Sequence, residues 1–207
     1  MAPYRLHGRQ ASGSFAVQVA LEEIGVPYDR LWIPATDADV AAFRAVNPTG
    51  KVPALELPDG TVLFESAAML IHLALAHPEA RLAPAPGSRD HALFLQWMVF
   101  LSANLYEAVL RSYYPARYSV RGDADAEAIR DQGARDCLTH LSLISGSLNP
   151  YVLGAGYSLA DPYLHMLASW YPGGSDDLHS RLPALAAHAG RVSIRPAVSK
   201  ASADHAM

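Results

Sequence analysis

The clearest chemical signal in the sequence is the stretch Asn47-Pro-Thr-Gly-Lys-Val-Pro-Ala-Leu55, which Glu65 and Ser66 follow ten residues later. Pro53 opens a segment that otherwise has the pattern of a β-strand, where proline interrupts the hydrogen-bond ladder. A cis peptide bond before Pro53 would account for it, because the sharp turn leaves the N–H and C=O of Val52 free to pair with an extended ligand. Glu65 and Ser66 stand at a strand-to-helix junction, where helix N–H groups attract a carboxylate. Together these features predict a site for an extended ligand with a carboxylate near one end.

The elements that position this site come from residues 1–79, which mix strand and helix patterns. Strands are predicted at residues 4–7, 28–33, 52–57 and 61–64, and helices at 15–24, 38–46 and 66–77. Gly25 ends the first helix, residues 58–60 form the turn of a hairpin, and Ser66 caps the last helix. The order β-α-β-α-β-β-α predicts a mixed sheet with helices packed on its faces.

The rest of the chain has the pattern of an all-helical domain. Pro and Gly mark residues 80–88 as a linker, so residues 1–79 and 89–207 are predicted as two domains. About five helices are expected in the second domain, and the clearest are at 90–111, 123–148, 163–171 and 182–190. Ser158 and Asp161 have the spacing of a capping box, so Asp161 is interpreted as a cap rather than a catalytic carboxylate.

Composition narrows the class of protein. The 207 residues carry a formal net charge of −4 and no run of Lys or Arg that would hold a phosphate backbone, which argues against a nucleic-acid partner. The longest apolar stretches fall short of the ~20 residues that cross a bilayer, so no membrane association is expected. The chain opens with no secretory signal, and a single cysteine, Cys137, excludes an internal disulfide. We therefore expect a cytoplasmic protein, and the scattered histidines predict no metal site.

The stretch ending at Leu55, taken with the Glu65-Ser66 pair, resembles the glutathione-site signature of the glutathione transferases, and the resemblance extends over nearly the whole chain. It implies a thioredoxin-like N-terminal domain followed by a helical-bundle C-terminal domain, with glutathione as the co-substrate. By this resemblance Val52, next to Pro53, pairs through its backbone with the cysteinyl part of glutathione. Glu65 and Ser66 hold the γ-glutamyl end, and the Lys51 side chain faces the glycyl carboxylate.

The family's thiol-activating residue has no direct counterpart here. A thiol has a pKa near ~8.5 to 9, and lowering it by ~2 units takes about 2.7 kcal/mol of preferential thiolate binding. In the family a Tyr, Ser or Cys in the first strand-to-helix turn supplies the donor. Here Ala11 stands where serine-type members carry their serine, and Gly13 where bacterial cysteine-type members carry their cysteine. Ser12 and Ser14 are the candidates, Ser12 as the donor and Ser14 as donor or as cap of the first helix.

A second-substrate pocket is expected from two groups of residues. Arg9 and Gln10 belong to the loop at the mouth of the predicted site. Tyr106, Arg111 and Tyr114 end the long helix that lines this pocket in the family, and aromatic rings with interleaved arginines suit a planar or anionic acceptor. For both groups a structural role, as solvated loop residues or as packing residues, stays open.

The resulting hypothesis is a homodimeric glutathione S-transferase that joins the glutathione thiol to a small electrophile, a reaction typical of detoxification. Two alternatives stay open. One is a glutathione-dependent cis-trans isomerase of maleyl-type diacids, for which Arg9, Arg111 and Arg117 offer carboxylate partners. The other is a non-catalytic glutathione-binding protein, which the absence of a serine at position 11 keeps open.

Overall fold

The computed structural model describes residues 2–206, and the chain forms two compact units. The first contains the described residues up to Ala83 together with those from Ile194 onward, and the second is Pro84–Ser193. The boundary between the units falls inside the linker predicted at 80–88.

A four-stranded sheet forms the centre of the first unit. Its strands are β1 (Tyr4–Gly8), β2 (Tyr28–Trp32), β3 (Ala54–Glu56) and β4 (Val62–Phe64), in the spatial order β2-β1-β3-β4. β1 runs parallel to β2 and antiparallel to β3, and β3 pairs antiparallel with β4. A parallel pair needs a crossover connection and an antiparallel pair only a short turn. A helix joins the first two strands and a tight turn the last two, and the predicted mixed sheet is confirmed.

The helices of this sheet domain are α1 (Ser14–Ile24), α2 (Asp37–Phe43) and α3 (Ser66–Ala76). Residues 14–21 of α1 are all buried, and α1 contacts both β1 and α3. Gly25 ends α1 with φ 77°, a left-handed conformation that glycine adopts without steric cost. The element order is the one predicted, and it is the thioredoxin-like arrangement.

The strand register brings three separate segments to one edge of the sheet. His7 of β1 lies opposite Ala54 of β3, and Ala54 lies opposite Phe64 of β4. Because both pairings are antiparallel, the chain leaves β1 and β4 at the same edge at which it enters β3. The loop after β1, the residues before β3 and Glu65 after β4 therefore lie side by side.

The junction between β4 and α3 corrects the prediction that Ser66 caps the helix. Ser66 is the first residue of α3, and Glu65 occupies the cap position with φ 71°, a region that residues with a side chain seldom adopt. A single residue thus makes the turn from strand to helix, leaving Ser66 buried and Glu65 exposed. Unusual backbone conformations of this kind are concentrated at ligand-binding sites.

The second unit is all-helical, as predicted. Its helices are α4 (Arg89–Phe100), α5 (Glu107–Tyr113), α6 (Ala126–Ser145), α7 (Ala160–Ser169), α8 (Ser175–Arg181) and α9 (Pro183–Ser193). Large apolar side chains from three of these helices are buried: Phe94, Met98, Leu141, Tyr163 and Leu164.

A π-helical segment, Leu101–Tyr106, joins α4 to α5, so residues 89–113 make one continuous helical run. By length and composition alone this run is long and apolar enough to cross a membrane, which corrects the expectation that no stretch reaches that length. A core helix of a globular protein passes the same test. Of its most apolar 18 residues 33% are buried inside the protein, and the side chains of Phe94, Met98 and Leu101 are among the buried ones of the run.

Asp161 holds the start of α7. Its carboxylate accepts hydrogen bonds from the backbone N–H of Ser158 at 2.8 Å and of Val152 at 2.9 Å, and it lies 3.0 Å from His188 Nε2 on α9. Asp161 is 0% exposed and His188 1%. The interpretation of Asp161 as a cap is confirmed, and the same carboxylate also ties α9 and the loop before α7 together.

The last helix, α10 (Pro196–His205), packs against α1 and belongs to the first unit. Arg195 bonds both carboxylate oxygens of Glu23, at 2.6 and 2.8 Å, and Lys200 lies 2.7 Å from a carboxylate oxygen of Glu22. This corrects the predicted helical domain of residues 89–207 at its C-terminal end. The sequence pattern did not separate α9 from α10, because periodicity reveals an apolar face but not the element that covers it.

Candidate functional site

The bend at Pro53 has the geometry that the sequence predicts. The Val52–Pro53 peptide bond is cis, and Pro53 is buried. Val52 is half-buried, and within residues 2–206 neither its amide nor its carbonyl has a hydrogen-bond partner. A free donor and a free acceptor on one residue at a sheet edge can pair with the backbone of an extended ligand.

Asn47 holds the turn in front of this bend, a role that the sequence analysis missed. Its side chain is buried, and Nδ2 donates to the carbonyl of Lys51 at 2.6 Å. Oδ1 accepts hydrogen bonds from the amide of Thr49 at 3.1 Å and from its hydroxyl at 3.0 Å. The backbone that leads into Val52 is therefore braced from inside. The signal was present, since Asn in a turn commonly bonds backbone groups two residues on.

The start of α3 and the Lys51 side chain complete this edge. The Glu65 carboxylate makes no cap hydrogen bond and is exposed, so it is available to a cationic group. The α3 N-terminus carries a positive partial charge that favours a carboxylate. Lys51 is exposed beside Val52. The structure thus brings together the residues predicted for an extended zwitterionic ligand with a second carboxylate.

Ser12 and Ser14 share one hydrogen-bond network with the backbone of Arg9. Ser12 Oγ lies 2.7 Å from the Arg9 carbonyl and 2.8 Å from Ser14 Oγ. Ser14 Oγ lies 3.0 Å from the same carbonyl and accepts a hydrogen bond from the Arg9 amide at 3.2 Å. Ser14 is fully buried against Gly8, where an added Cβ would lie 2.5 Å from the Ser14 hydroxyl. Glycine is therefore required at position 8.

The two hydroxyls differ in what they can give to a ligand. When Ser14 donates to the Arg9 carbonyl, both backbone groups of Arg9 are satisfied, and Ser12 Oγ can still accept from the Ser14 amide at 3.3 Å. The Ser12 proton is then free to turn toward a ligand. Ser14 lacks this freedom because it is buried. Of the two predicted residues, the geometry favours Ser12 as the donor and Ser14 as its support.

The same loop offers backbone donors. Within residues 2–206 the amides of Ala11 and Gly13 donate no hydrogen bond. Ala11 has φ 47°, and Gly13 directly precedes α1. An anion near this end of α1 is favoured by the helix dipole as well as by the loop donors.

Arg9 and Gln10, predicted at the mouth of a substrate pocket, both bond the protein backbone. Arg9 donates from Nε to the Ile33 carbonyl at 3.0 Å and from an Nη to the Pro34 carbonyl at 2.9 Å. Gln10 donates from Nε2 to the Asp204 carbonyl at 3.2 Å. These contacts favour the structural role that the sequence left open.

Two residues predicted for the second-substrate pocket are likewise engaged within the second unit. The Tyr106 ring packs against Tyr163 and Trp170, with ring centroids 6.5 and 5.7 Å apart. Arg111 donates to the Asp136 carboxylate at 2.9 Å. These contacts match the packing alternative for both residues.

An open pocket of about 320 Å³ lies within the second unit at the end of α5. Tyr114 lines it, and the Arg117 guanidinium stacks over the Tyr114 ring, 4.1 Å from its centre. Tyr106 and Arg111 are not among its lining residues, so the three residues predicted for one pocket are not brought together there. The remaining lining residues are Tyr113, Pro115, Ala116, Asp123, Ala126 and Arg130.

Cys137 is a free cysteine on α6. Its side chain is buried, and burial raises the pKa of its thiol to about 12, so the thiol is protonated at neutral pH. Within residues 2–206, no group of three or more His, Cys, Asp or Glu side chains is placed to hold a metal ion.

Known proteins share this architecture. A family profile described as the glutathione S-transferase N-terminal domain matches residues 14–76. The glutathione S-transferase-like protein OpS6 of Beauveria bassiana is 29% identical over 219 residues, covering 100% of this chain and 97% of that protein. A solved glutathione transferase homolog from Sulfitobacter, with bound glutathione, has a TM-score of 0.90 and 26% identity, with 100% of both chains covered. A sphingomonad glutathione S-transferase complexed with glutathione has a TM-score of 0.83 and 30% identity, covering 98% of this chain and 99% of that one.

The similarity spans both units, and the residues that the profile matches include Pro53 and Glu65. The sheet domain and the helical second unit match the fold of these solved structures. The chain belongs to the glutathione S-transferase superfamily.

Proposed function

We propose that this protein binds glutathione at the sheet edge of the first unit and transfers it, as the thiolate, to a small electrophile. The observation that carries the proposal is the unpaired backbone of Val52, beside Glu65 and the loop after β1. Glutathione matches this edge because it is an extended peptide with a central backbone N–H and C=O and a charged group at each end. The sphingomonad relative binds glutathione in its solved structure, which supports the same ligand here.

Each end of the tripeptide has a partner. The cysteinyl backbone pairs with Val52, which places the sulfur toward the loop after β1. The γ-glutamyl ammonium meets the Glu65 carboxylate, and its carboxylate meets the α3 N-terminus at Ser66. Lys51 pairs with the glycyl carboxylate. Because Lys51 and Glu65 are exposed, these ion pairs contribute modestly, and the backbone contacts set the register.

The chemical step is a nucleophilic displacement. The thiol of bound glutathione loses its proton to solvent, and the thiolate accepts a hydrogen bond from the Ser12 hydroxyl and from the free loop amides. The sulfur then attacks an electrophilic carbon, a C–S bond forms, and the leaving group departs with its bonding electrons. Ser14 holds the loop at the start of α1, whose dipole also favours the thiolate.

One observation favours a second candidate, a non-catalytic glutathione-binding protein. In the structure both serine hydroxyls have acceptors inside the loop, so Ser12 must break its 2.7 Å bond to Arg9 before it can serve a thiolate. The isomerase alternative has less support, because Arg9 and Arg111 are both engaged with protein partners.

The proposal also includes the features that the family resemblance implies: a homodimer, a cytoplasmic location, a helical domain that receives the electrophile, and a role in detoxification. Light scattering of the purified protein tests the first of these directly.

Two measurements test the proposed function. Calorimetric titration with reduced glutathione is expected to give saturable binding, and binding is expected to be lost with Val52→Pro, which removes the backbone N–H. Turnover of a generic aryl halide electrophile then separates the enzyme from the binder. Binding without a thiolate absorbance band at neutral pH and without turnover would leave the non-catalytic candidate, and an absence of binding would end both.

A further inference from the structure

The last turn of α10 reaches the loop that carries the two serines. Gln10 in that loop donates from Nε2 to the Asp204 carbonyl at 3.2 Å, a contact between residues 194 positions apart. The contact lies entirely within the first unit. The C-terminal end of the chain is therefore in direct contact with the segment that is proposed to hold the glutathione sulfur.

Asp204 is itself held by two elements of the sheet domain. Its carboxylate accepts a hydrogen bond at 2.6 Å from Gln18 Nε2, on the fully buried face of α1, and it pairs with the Arg30 guanidinium of β2. The Arg30 hydrogen bond lowers the pKa of Asp204, so the carboxylate is ionised at neutral pH. Asp204 thus links α1, β2 and the loop at a single point.

His205 adds a packing contact at the same place. It is fully buried, and its ring meets Phe15 and Trp32 edge-on, with centroids 5.5 and 5.1 Å apart. Neither ring nitrogen has a hydrogen-bond partner within residues 2–206, so the contribution of the ring at this place is its packing against the two aromatic rings. Phe15 directly follows Ser14, and Trp32 lies 3.4 Å from where a Cβ of Gly8 would be. The loop between Gly8 and Phe15 is therefore packed against the last turn of α10 at both of its ends. Phe15 contacts His205 directly, and Gly8 lies next to the Trp32 ring that contacts His205.

We propose that Asp204 is a positioning residue for the transferase reaction, fixing the last turn of α10 against the serine loop so that the Ser12 hydroxyl and the Gly13 amide face the glutathione sulfur. This inference rests on the proposed function. Asp204 touches neither substrate nor sulfur, and it acts through Gln10 and through the packing of His205.

Contacts other than those of Asp204 also attach α10 to α1. The ion pairs of Arg195 with Glu23 and of Lys200 with Glu22 join α10 to the opposite end of α1, away from the serine loop. Arg195→Ala is therefore a matched control: it removes an ion pair that joins the start of α10 to α1, but it leaves the loop contacts in place.

The test compares Asp204→Ala, Gln10→Ala, their double variant and Arg195→Ala in the full chain. We expect Asp204→Ala to lower kcat for an aryl halide about tenfold, to raise the pKa of bound glutathione by about one unit, and to leave its KM within about twofold. Gln10→Ala, an exposed change that does not threaten folding, is expected to act in the same direction. The double variant should lose no more than the larger single loss, because the two side chains act in series: the Asp204 carboxylate anchors the turn, and Gln10 bonds the carbonyl of that turn.

Arg195→Ala is expected to lower Tm by a similar amount to Asp204→Ala while its kcat and thiol pKa stay within about twofold of wild type. Equal effects of Asp204→Ala and Arg195→Ala on kcat and thiol pKa would overturn the proposal, as would an Asp204→Ala loss confined to KM or to Tm. If wild type itself shows no bound thiolate, it is the proposed function that fails, so the two failures are distinguishable.

Discussion

Replacing Ser12 by alanine probes the thiol-activating step, and the structure sets the size of the effect. A hydrogen bond to a charged acceptor contributes about 1.5–3 kcal/mol, but the Ser12 hydroxyl gives up its 2.7 Å bond to the neutral Arg9 carbonyl, a loss of about 0.5–1.5 kcal/mol. The net preference for the thiolate is then about 1–1.5 kcal/mol. At about 1.36 kcal/mol per pKa unit, Ser12→Ala raises the pKa of bound glutathione by about one unit.

Because Ser12→Ala raises the pKa of bound glutathione, its effect on turnover depends on pH. At a pH below both pKa values the thiolate fraction, and with it kcat, falls about tenfold in Ser12→Ala. Above both values the thiol is ionised in either protein, and the two rates converge.

The assay is the pH profile of aryl halide turnover at saturating glutathione, together with absorbance titration of the bound thiolate. Ser142→Ala is the control, since among the described residues its hydroxyl bonds only the Leu138 carbonyl within α6, and the profile should stay unchanged. A Ser12→Ala rate reduced equally at all pH values, or not reduced at all, refutes the role of the hydroxyl and transfers thiolate stabilisation to the loop amides.

Three further predictions concern binding and stability. Glu65→Gln removes the partner of the γ-glutamyl ammonium and should weaken glutathione binding about three- to tenfold by calorimetry, and an unchanged Kd would contradict the placement of that end. Asp161→Asn leaves buried N–H groups and His188 with a weaker partner, so urea unfolding should show a loss of about 3–5 kcal/mol, whereas a loss under about 1 kcal/mol would contradict the cap. Burial lowers the pKa of His205 from its ordinary 6.5 to about 4, so the unfolded chain binds more protons and stability, intact above pH 6.5, falls by about 3 kcal/mol as the pH drops to about 4. In His205→Phe the free energy of unfolding in urea should no longer fall in this way between pH 6.5 and 4. The same fall in the variant as in wild type would contradict the role of His205.

The sheet edge that carries Val52, Pro53 and Glu65 was predictable from the sequence, because each of its features depends on residues that are neighbours in the sequence. A proline at the start of a strand has few compatible backbone geometries, and the cis bond at Pro53 is confirmed. A hairpin turn followed by a helix start places Glu65 beside that bend through antiparallel register alone. The cap was predicted one residue too late because the sequence does not reveal that Glu65 adopts a positive φ.

The roles of the serine loop and of α10 were harder to predict, because they depend on contacts between residues that the sequence pattern does not relate. Ser12 and Ser14 are the same residue type two positions apart, and their roles separate only because Ser14 is buried against Gly8 and can satisfy both backbone groups of Arg9. Spacing along the chain does not determine which hydroxyl proton is free. The contact that holds this loop from outside comes from Asp204, at the far end of the sequence.

These two facts together support the proposal that this loop, which lacks the family's usual activating residue, stabilises a thiolate. With Ala11 and Gly13 in place of reactive side chains, the loop offers amides and the Ser12 hydroxyl, which act on sulfur only if the backbone is held still. Weak donors need accurate placement, because a hydrogen bond weakens steeply once it is misaligned. The buried Ser14 holds the loop from within, and the last turn of α10 holds it from outside. We therefore expect a change in α10 to reduce thiolate stabilisation more in this protein, which relies on backbone donors, than in a protein with a strong side-chain donor in the same loop.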